Sequence, residues 1–366
     1  MTRYLAPALC SVLLLFGWAR TANAQSDDAQ THVAAARAAV APSVENPLQP
    51  FHVFDRLHDQ MCAEPTLPDA MRQQDRTSVR PREDWYQPPA IIFDNLHFIG
   101  TSGAGVFAVN TSEGIIVIDT SYHYSSEELV LGLLQFGLDP EDIRYIVVSH
   151  GHDDRFFGAS VLQKSYPSAR IVMSEADWEV VENDNNPAEL KPTRDMVATD
   201  GMRLTLGETT VTLYITPGHT PGTLSMIIEP LWNQKSVNSD DDRHVAVFWG
   251  GTDITIGRQG VRYFPDGVTM METWVASTER FKNIVAEAGV DTILTQTVRH
   301  ANMLEKMRAW RIMNPDESGG GNPDGILAEV QRLEGEPHSF VNADAVDRYF
   351  TVLLECYKAQ LAWRTE

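Results

Sequence analysis

The chain reads as an α/β protein, and three observations say so. Short apolar runs such as Ile115-Ile116-Val117-Ile118 and Tyr145-Ile146-Val147-Val148 have the length of buried strands. Between them lie segments with helical apolar spacing, opened by capping residues and closed by glycine or proline. Hydrophobic residues make up 43 % of the 366 residues and charged residues 22 %, enough apolar material for a sizeable core.

At the N-terminus, Arg3 precedes an apolar run from Leu5 to Ala19, and Ala22-Asn23-Ala24 supplies small residues for cleavage. This is the pattern of a secretory leader removed before Gln25, and the run is short for a membrane span. Residues 25–45 are polar and alanine-rich, with a short helix from Thr31 to Val40 ended by Pro42, Pro47 and Pro50. Residues 46–88 hold scattered aromatics among many charges and read as an extension wrapped on the core.

The core begins near Ala90. Strands are expected at Ile91–Phe93 and Leu96–Ile99, then at Val106–Val109 and Ile115–Ile118 around a glycine turn. Ser125 or Ser126 caps a helix running to Phe136, with Glu127 and Glu128 suiting its first turn and Gly137 closing it. Tyr145–Val148 is a strand, Ala159–Tyr166 a helix, Arg170–Met173 a strand, and Ser174 caps a helix over Glu175–Glu182. Met202–Leu206 and Thr209–Ile215 form a hairpin through Gly207-Glu208, followed by strands at Leu224–Ile228 and Val245–Phe248 with an acidic turn between them. Helical spacing covers Thr273–Ala288 and a last strand covers Val290–Leu294. A glycine-rich linker at Ser318–Pro323 precedes helices at Ile326–Leu333 and Ala343–Ala362. The organisation is therefore a leader (1–24), an N-terminal extension (25–88), a core (89–312) and a C-terminal linker with helices (313–366).

Loss of residues 1–24 removes Arg3 and Arg20 and no acidic group, moving the formal charge from −21 to −23. Such a surface repels nucleic acid and anionic lipid, so neither is expected as a partner. Oligomeric state is open. Two cysteines, Cys62 and Cys356, remain in the mature chain. In an oxidising compartment they form either a bridge or two buried thiols, and spacing does not choose between these.

The most informative stretch is Ser149-His150-Gly151-His152-Asp153-Asp154-Arg155, placed directly after a buried strand. Two histidines two apart with a carboxylate two further on is a metal-ligand spacing, since zinc takes imidazole and carboxylate together. His97, His123 and His244 have no spacing that recruits them.

These residues resemble the signature of the metallo-β-lactamase superfamily, whose fuller form is His-x-His-x-Asp-His. The resemblance runs from about Phe93 to Met307. It includes Gly114–Thr120, similar to the family's early strand ending in an aspartate, and Thr216–Gly222 around His219, similar to its third-histidine turn. It also includes Phe248-Trp249-Gly250-Gly251-Thr252, similar to a later strand and glycine turn. The segment Met173–Trp178 and the style of the C-terminal segments place it nearest the branch around the third subclass.

The resemblance implies a four-layer αββα sandwich with a cleft at its edge. It implies a zinc (Zn2+) site held by His150, His152 and His219, in which zinc-bound hydroxide attacks the carbonyl of a cyclic amide, lactone or ester. Asp154 matches a ligand of a second metal, and Asp119 matches a residue that supports the metal loop through hydrogen bonds. The second site departs from the pattern. Arg155 replaces a histidine, and a guanidinium has no lone pair to donate to a metal. Thr252 stands where some relatives place a cysteine, and Thr297 where the final histidine is expected, with His300 three residues later as a substitute ligand. Arg155 instead supplies a fixed charge, pairing with Asp154 or binding a substrate carboxylate. The implied function is an exported, secreted or periplasmic metal-dependent hydrolase holding one zinc. The alternative is a binding protein that kept the fold and lost turnover.

Overall fold

The computed structural model describes residues 27–41, 52–65, 77–232, 243–254, 263–313 and 338–365. The leader at 1–24, most of the acidic turn after residue 235, the Ser318–Pro323 linker and the helix expected at Ile326–Leu333 lie outside the described residues.

Two sheets form the centre. The first is seven-stranded in the order β1 (Ala90–Phe93), β2 (Leu96–Phe98), β3 (Phe107–Thr111), β4 (Gly114–Ile118), β5 (Ile143–Val147), β6 (Arg170–Ser174) and β7 (Met196–Ala198). It is antiparallel from β1 to β4 and parallel from β4 to β7. The second runs β12 (Thr292–Thr295), β11 (Arg243–Trp249), β10 (Leu224–Trp232), β9 (Thr209–Ile215) and β8 (Met202–Leu206). Only its β11–β12 pair is parallel.

The layering follows from the period-two alternation of strand side chains. On β4 to β6, Ile115, Val117, Ile146, Ile171 and Met173 face one apolar cluster, while Ile116, Ile118, Val147 and Val172 face another. The first cluster is closed by Leu129 and Leu133 of helix α3 (Ser126–Gln135), Phe156 and Phe157 of α4 (Asp153–Ser165), and Trp178 of α5 (Glu175–Asn183). The second fills the space between the sheets and continues under α6 (Gly267–Glu287), α7 (Met303–Met313) and α8 (Ala343–Arg364). Strands with apolar residues on both faces need a cover on both faces. The result is the expected αββα sandwich.

Several local expectations change. Ser125 precedes α3, but its hydroxyl donates back to the Tyr122 carbonyl at 2.8 Å instead of capping the helix. The helix after the histidine loop begins at Asp153, six residues earlier than the apolar spacing suggested, so Asp153, Asp154 and Arg155 form its first turn. That turn is polar because it borders the cleft, which hides it from a pattern search. Ser174 does cap α5, accepting from Asp177 N at 3.3 Å.

The N-terminal extension packs on the C-terminal helix. A first helix covers residues 27–38 (α1) and a second covers Asp55–Met61 (α2). Leu57 and Met61, one turn apart, face the core. Phe54 meets Tyr349 edge-on at 5.5 Å between ring centroids. A disulfide joins Cys62 to Cys356, and Gln360 donates to the Met61 carbonyl at 3.0 Å beside it. A cross-link closing so long a loop removes roughly 5 kcal/mol of unfolded-state entropy in the chain-entropy picture. Among the described residues no helix is long and apolar enough to cross a membrane.

Lys306 on α7 is 0 % exposed and its amino group has no hydrogen-bond partner among the described residues. Burial, with a smaller push from Arg348, lowers its pKa from 10.5 to about 7. A folded-state value below the unfolded one means that stability falls as pH drops from about 10.5 to about 7 and then levels off. Lys306→Met is therefore expected to stabilise the protein by about 1–4 kcal/mol at pH 7, a gain that shrinks toward pH 10. Urea unfolding of both proteins across that range tests the sign.

Candidate metal centre

Five strand ends meet at one edge of the sandwich. β4 ends in Asp119, β5 leads into His150 and His152, β9 leads into His219, β11 into Gly250–Asp253, and β12 into Gln296 and Thr297. Side chains at the carboxyl ends of neighbouring strands converge outside the sheet, where loops and helix starts can aim them.

His150, His152 and His219 share a focus there. Each offers a ring nitrogen, and the three nitrogens lie within 4.8 Å of one another. Their ring centroids are 4.5–4.7 Å apart and the planes cross at 79–89°. All three are buried, at 1 %, 5 % and 4 % exposure. Burial first, then the neighbouring imidazoles and Arg155, lowers the His150 pKa well below the ordinary value. Burial lowers the His219 pKa as well, and in these two rings it favours the neutral state that binds a metal.

Backbone carbonyls choose the tautomers. His150 Nδ1 sits 2.8 Å from the Gly250 carbonyl, and His219 Nδ1 sits 2.8 Å from the Asp253 carbonyl. A carbonyl only accepts, so each Nδ1 carries the proton and each Nε2 keeps its lone pair for the centre. Gly251 permits this closeness: a Cβ there would lie 2.4 Å from the His219 Cβ.

Two buried carboxylates hold the loops. Asp119 accepts from Ser149 N at 2.7 Å and Ser149 Oγ at 2.9 Å, directly before His150. It adopts φ +58°, a left-handed conformation uncommon outside glycine and asparagine, as it leaves β4. Burial raises its pKa to about 7, against the pull of Arg155 and Ser149. Asp177 accepts from Gly151 N at 3.1 Å, Gly222 N at 3.1 Å and Thr220 Oγ1 at 2.7 Å. It ties the His150–His152 loop to the His219 turn, and burial raises its pKa to about 6. Asp177 lies inside the Met173–Trp178 segment, yet an aspartate in the first turn of a helix looks like ordinary dipole complementation.

The remaining candidates do not join the triad's ligand cluster. Arg155 is 3 % exposed. Its guanidinium donates to Asp154 Oδ2 at 2.7 Å and to the Gln296 carbonyl at 2.8 Å, and lies 3.9 Å from Asp119 Oδ2. That burial turns it toward the protein's own acceptors and away from a substrate carboxylate. Thr252 is fully buried and its hydroxyl faces Gln296 and Tyr349, at 3.4 and 3.3 Å. His300 is 1 % exposed, with Nε2 3.2 Å from Asp253 Oδ1. Sequence reasoning passed over Asp253. Although burial pushes its pKa up, the His300 contact and the nearby Arg155 bring it down to about 2. Its signal was an acid immediately after the Gly-Gly-Thr turn at a strand end.

The donor set fits a divalent ion: three converging imidazoles, two of them with tautomers fixed by acceptors.

Residues 102–230 match the Metallo-beta-lactamase superfamily. Among curated proteins, the chain is 24 % identical over 131 residues to the uncharacterized protein YobT of Bacillus subtilis (strain 168), covering 33 % of this chain and 55 % of that one. It is 31 % identical over 111 residues to glyoxylase B2 of Dictyostelium discoideum, covering 28 % and 37 %. The matched part thus spans about half of the first relative and little over a third of the second. Among solved structures, BJP-1, a subclass B3 metallo-beta-lactamase of Bradyrhizobium japonicum, superposes with TM-score 0.58 at 24 % identity, covering 76 % of this chain and 95 % of that one. A metallo-beta-lactamase of Cronobacter sakazakii with a HARLDQ motif gives TM-score 0.56 at 24 % identity, covering 78 % and 99 %. Over residues 102–230 the chain is thus similar to the metallo-beta-lactamase superfamily, and it shares the sandwich fold of the subclass B3 enzyme.

Proposed function

We propose that the protein is an exported hydrolase that uses one zinc ion to open a cyclic amide, lactone or ester. The observation that carries this reading is the convergence of three buried imidazoles on one point. Zinc held by three imidazoles with an open position activates water near neutral pH and polarises a carbonyl oxygen. His150, His152 and His219 hold the ion. Asp119 and Asp177 fix the backbone that carries them, through Ser149, Gly151, Thr220 and Gly222. The relatives' names, metallo-beta-lactamase and glyoxylase, support a small-molecule substrate. Export is supported by the leader pattern and by the disulfide.

One metal, not two, follows from Arg155. Its charge lies beside Asp154 and repels a second cation, while Thr297 donates to Asp253 Oδ2 at 3.3 Å and supplies no imidazole. Taking a guanidinium out of water costs several kcal/mol, and the Asp154, Asp119 and Gln296 contacts offset that cost. The same pair favours a second reading, a binding protein without turnover.

Elemental analysis of the mature protein is expected to find one zinc per chain; two tightly held ions would reject the role given to Arg155. Assayed with zinc against a chromogenic β-lactam, a lactone and a thioester, the wild type is expected to turn over at least one. His152→Ala is expected to lose both that activity and the metal, and unchanged activity would remove the mechanism. A wild type that binds zinc but hydrolyses none of the three favours the binding-protein reading. Asp177→Ala leaves three buried donors without their acceptor. It is expected to cost about 3 kcal/mol in urea unfolding and to weaken zinc affinity at least tenfold.

A further inference from the structure

The segment Gly250–Asp253 contributes no side-chain ligand to the triad, yet its carbonyls orient two of the three imidazoles. Besides Ser225, Gln296 and Thr297, side chains of the N-terminal extension and of the C-terminal helix hold this segment. Tyr357 of α8 donates to the Thr252 carbonyl at 2.8 Å, and the Tyr349 hydroxyl is 3.3 Å from Thr252 Oγ1. Both tyrosines are fully buried. From the other side, Gln60 of α2 donates through Nε2 to Asp253 Oδ1 at 2.6 Å, and its Oε1 lies 3.3 Å from His300 Nε2. Helix α2 is itself tied down around this point. Asn302 donates to the Val53 carbonyl, and Cys62 is bonded to Cys356. Cys356 immediately precedes Tyr357, and Cys62 lies two residues after Gln60.

We propose, on the reading that the triad holds zinc, that α2 and α8, locked by the Cys62–Cys356 bond, form a clamp on Gly250–Asp253. Gln60 and Tyr357 are its positioning residues. An imidazole whose acceptor is held in place loses less freedom when it binds a metal. The extension is then part of the metal centre although it supplies no ligand. A chain in which Cys62 and Cys356 are not joined would bind zinc more weakly, coupling metal loading to oxidation after export.

The test measures zinc affinity by competition with a chromogenic chelator, and the visible spectrum of the cobalt-substituted protein. The variants are Gln60→Ala, Tyr357→Phe, the pair Cys62→Ser with Cys356→Ser, and Arg56→Ala. Circular dichroism of the metal-free proteins checks that each is folded. Gln60→Ala and Tyr357→Phe are each expected to weaken zinc binding about threefold to tenfold, the equivalent of one hydrogen bond, and to shift the cobalt bands. The double serine variant is expected to lose at least as much. Arg56→Ala removes an exposed ion pair on the same helix and is expected to stay within twofold of wild type. Wild-type affinity and an unshifted spectrum in Gln60→Ala and Tyr357→Phe would overturn the clamp while leaving the metal centre standing. A wild type that binds no zinc would overturn both.

Discussion

Two backbone carbonyls, those of Gly250 and Asp253, are the constraint on which this cleft depends. An imidazole can present either nitrogen, and only an acceptor behind the ring makes the choice. By accepting from His150 and His219, the two carbonyls turn a group of buried histidines into a set of lone pairs aimed at one point. The glycine between them exists for the same reason, since any side chain at Gly251 would collide with His219.

Around this focus the charges are arranged in layers. Nearest are the three buried imidazole rings. Behind them Asp119 and Asp177 brace the loops through backbone N–H and hydroxyl donors. Beside them Arg155 is enclosed by Asp154, Asp119 and the Gln296 carbonyl. A buried guanidinium with three acceptors is stable where it is, and it brings its charge without giving a ligand. The extension and α8 then close the far side of the cleft, so that residues distant in the chain act on the same short segment.

Much of this was legible before any coordinates. Short apolar runs such as Ile115–Ile118 and Tyr145–Val148 pointed to an α/β class, while the sandwich between helix layers was implied by the family resemblance. His150 and His152 were legible because ligand spacing after a buried strand is specific, and His219 because its turn resembles the family's third-histidine turn. Less was legible at the start of α4, where cleft-facing polar residues interrupt the apolar spacing. Asp253 and Gln60 were not legible, because a lone acid and a lone amide have no periodicity to mark them. The Cys62–Cys356 pair was one of two open alternatives until α2 was seen against α8.

The sequence by itself determined the class of fold and the His150–His152 pair, because composition, periodicity and short-range spacing are local properties; His219 and the departures at Arg155 and Thr297 were visible in it only through the family resemblance. Tertiary structure decided which acceptors stand behind those rings and where His300 turns. It also decided that Arg155 is sealed in and that Cys62 meets Cys356. These are contacts between residues as far as 294 positions apart. No local pattern encodes them, since they exist only once two sheets and their covering helices have packed.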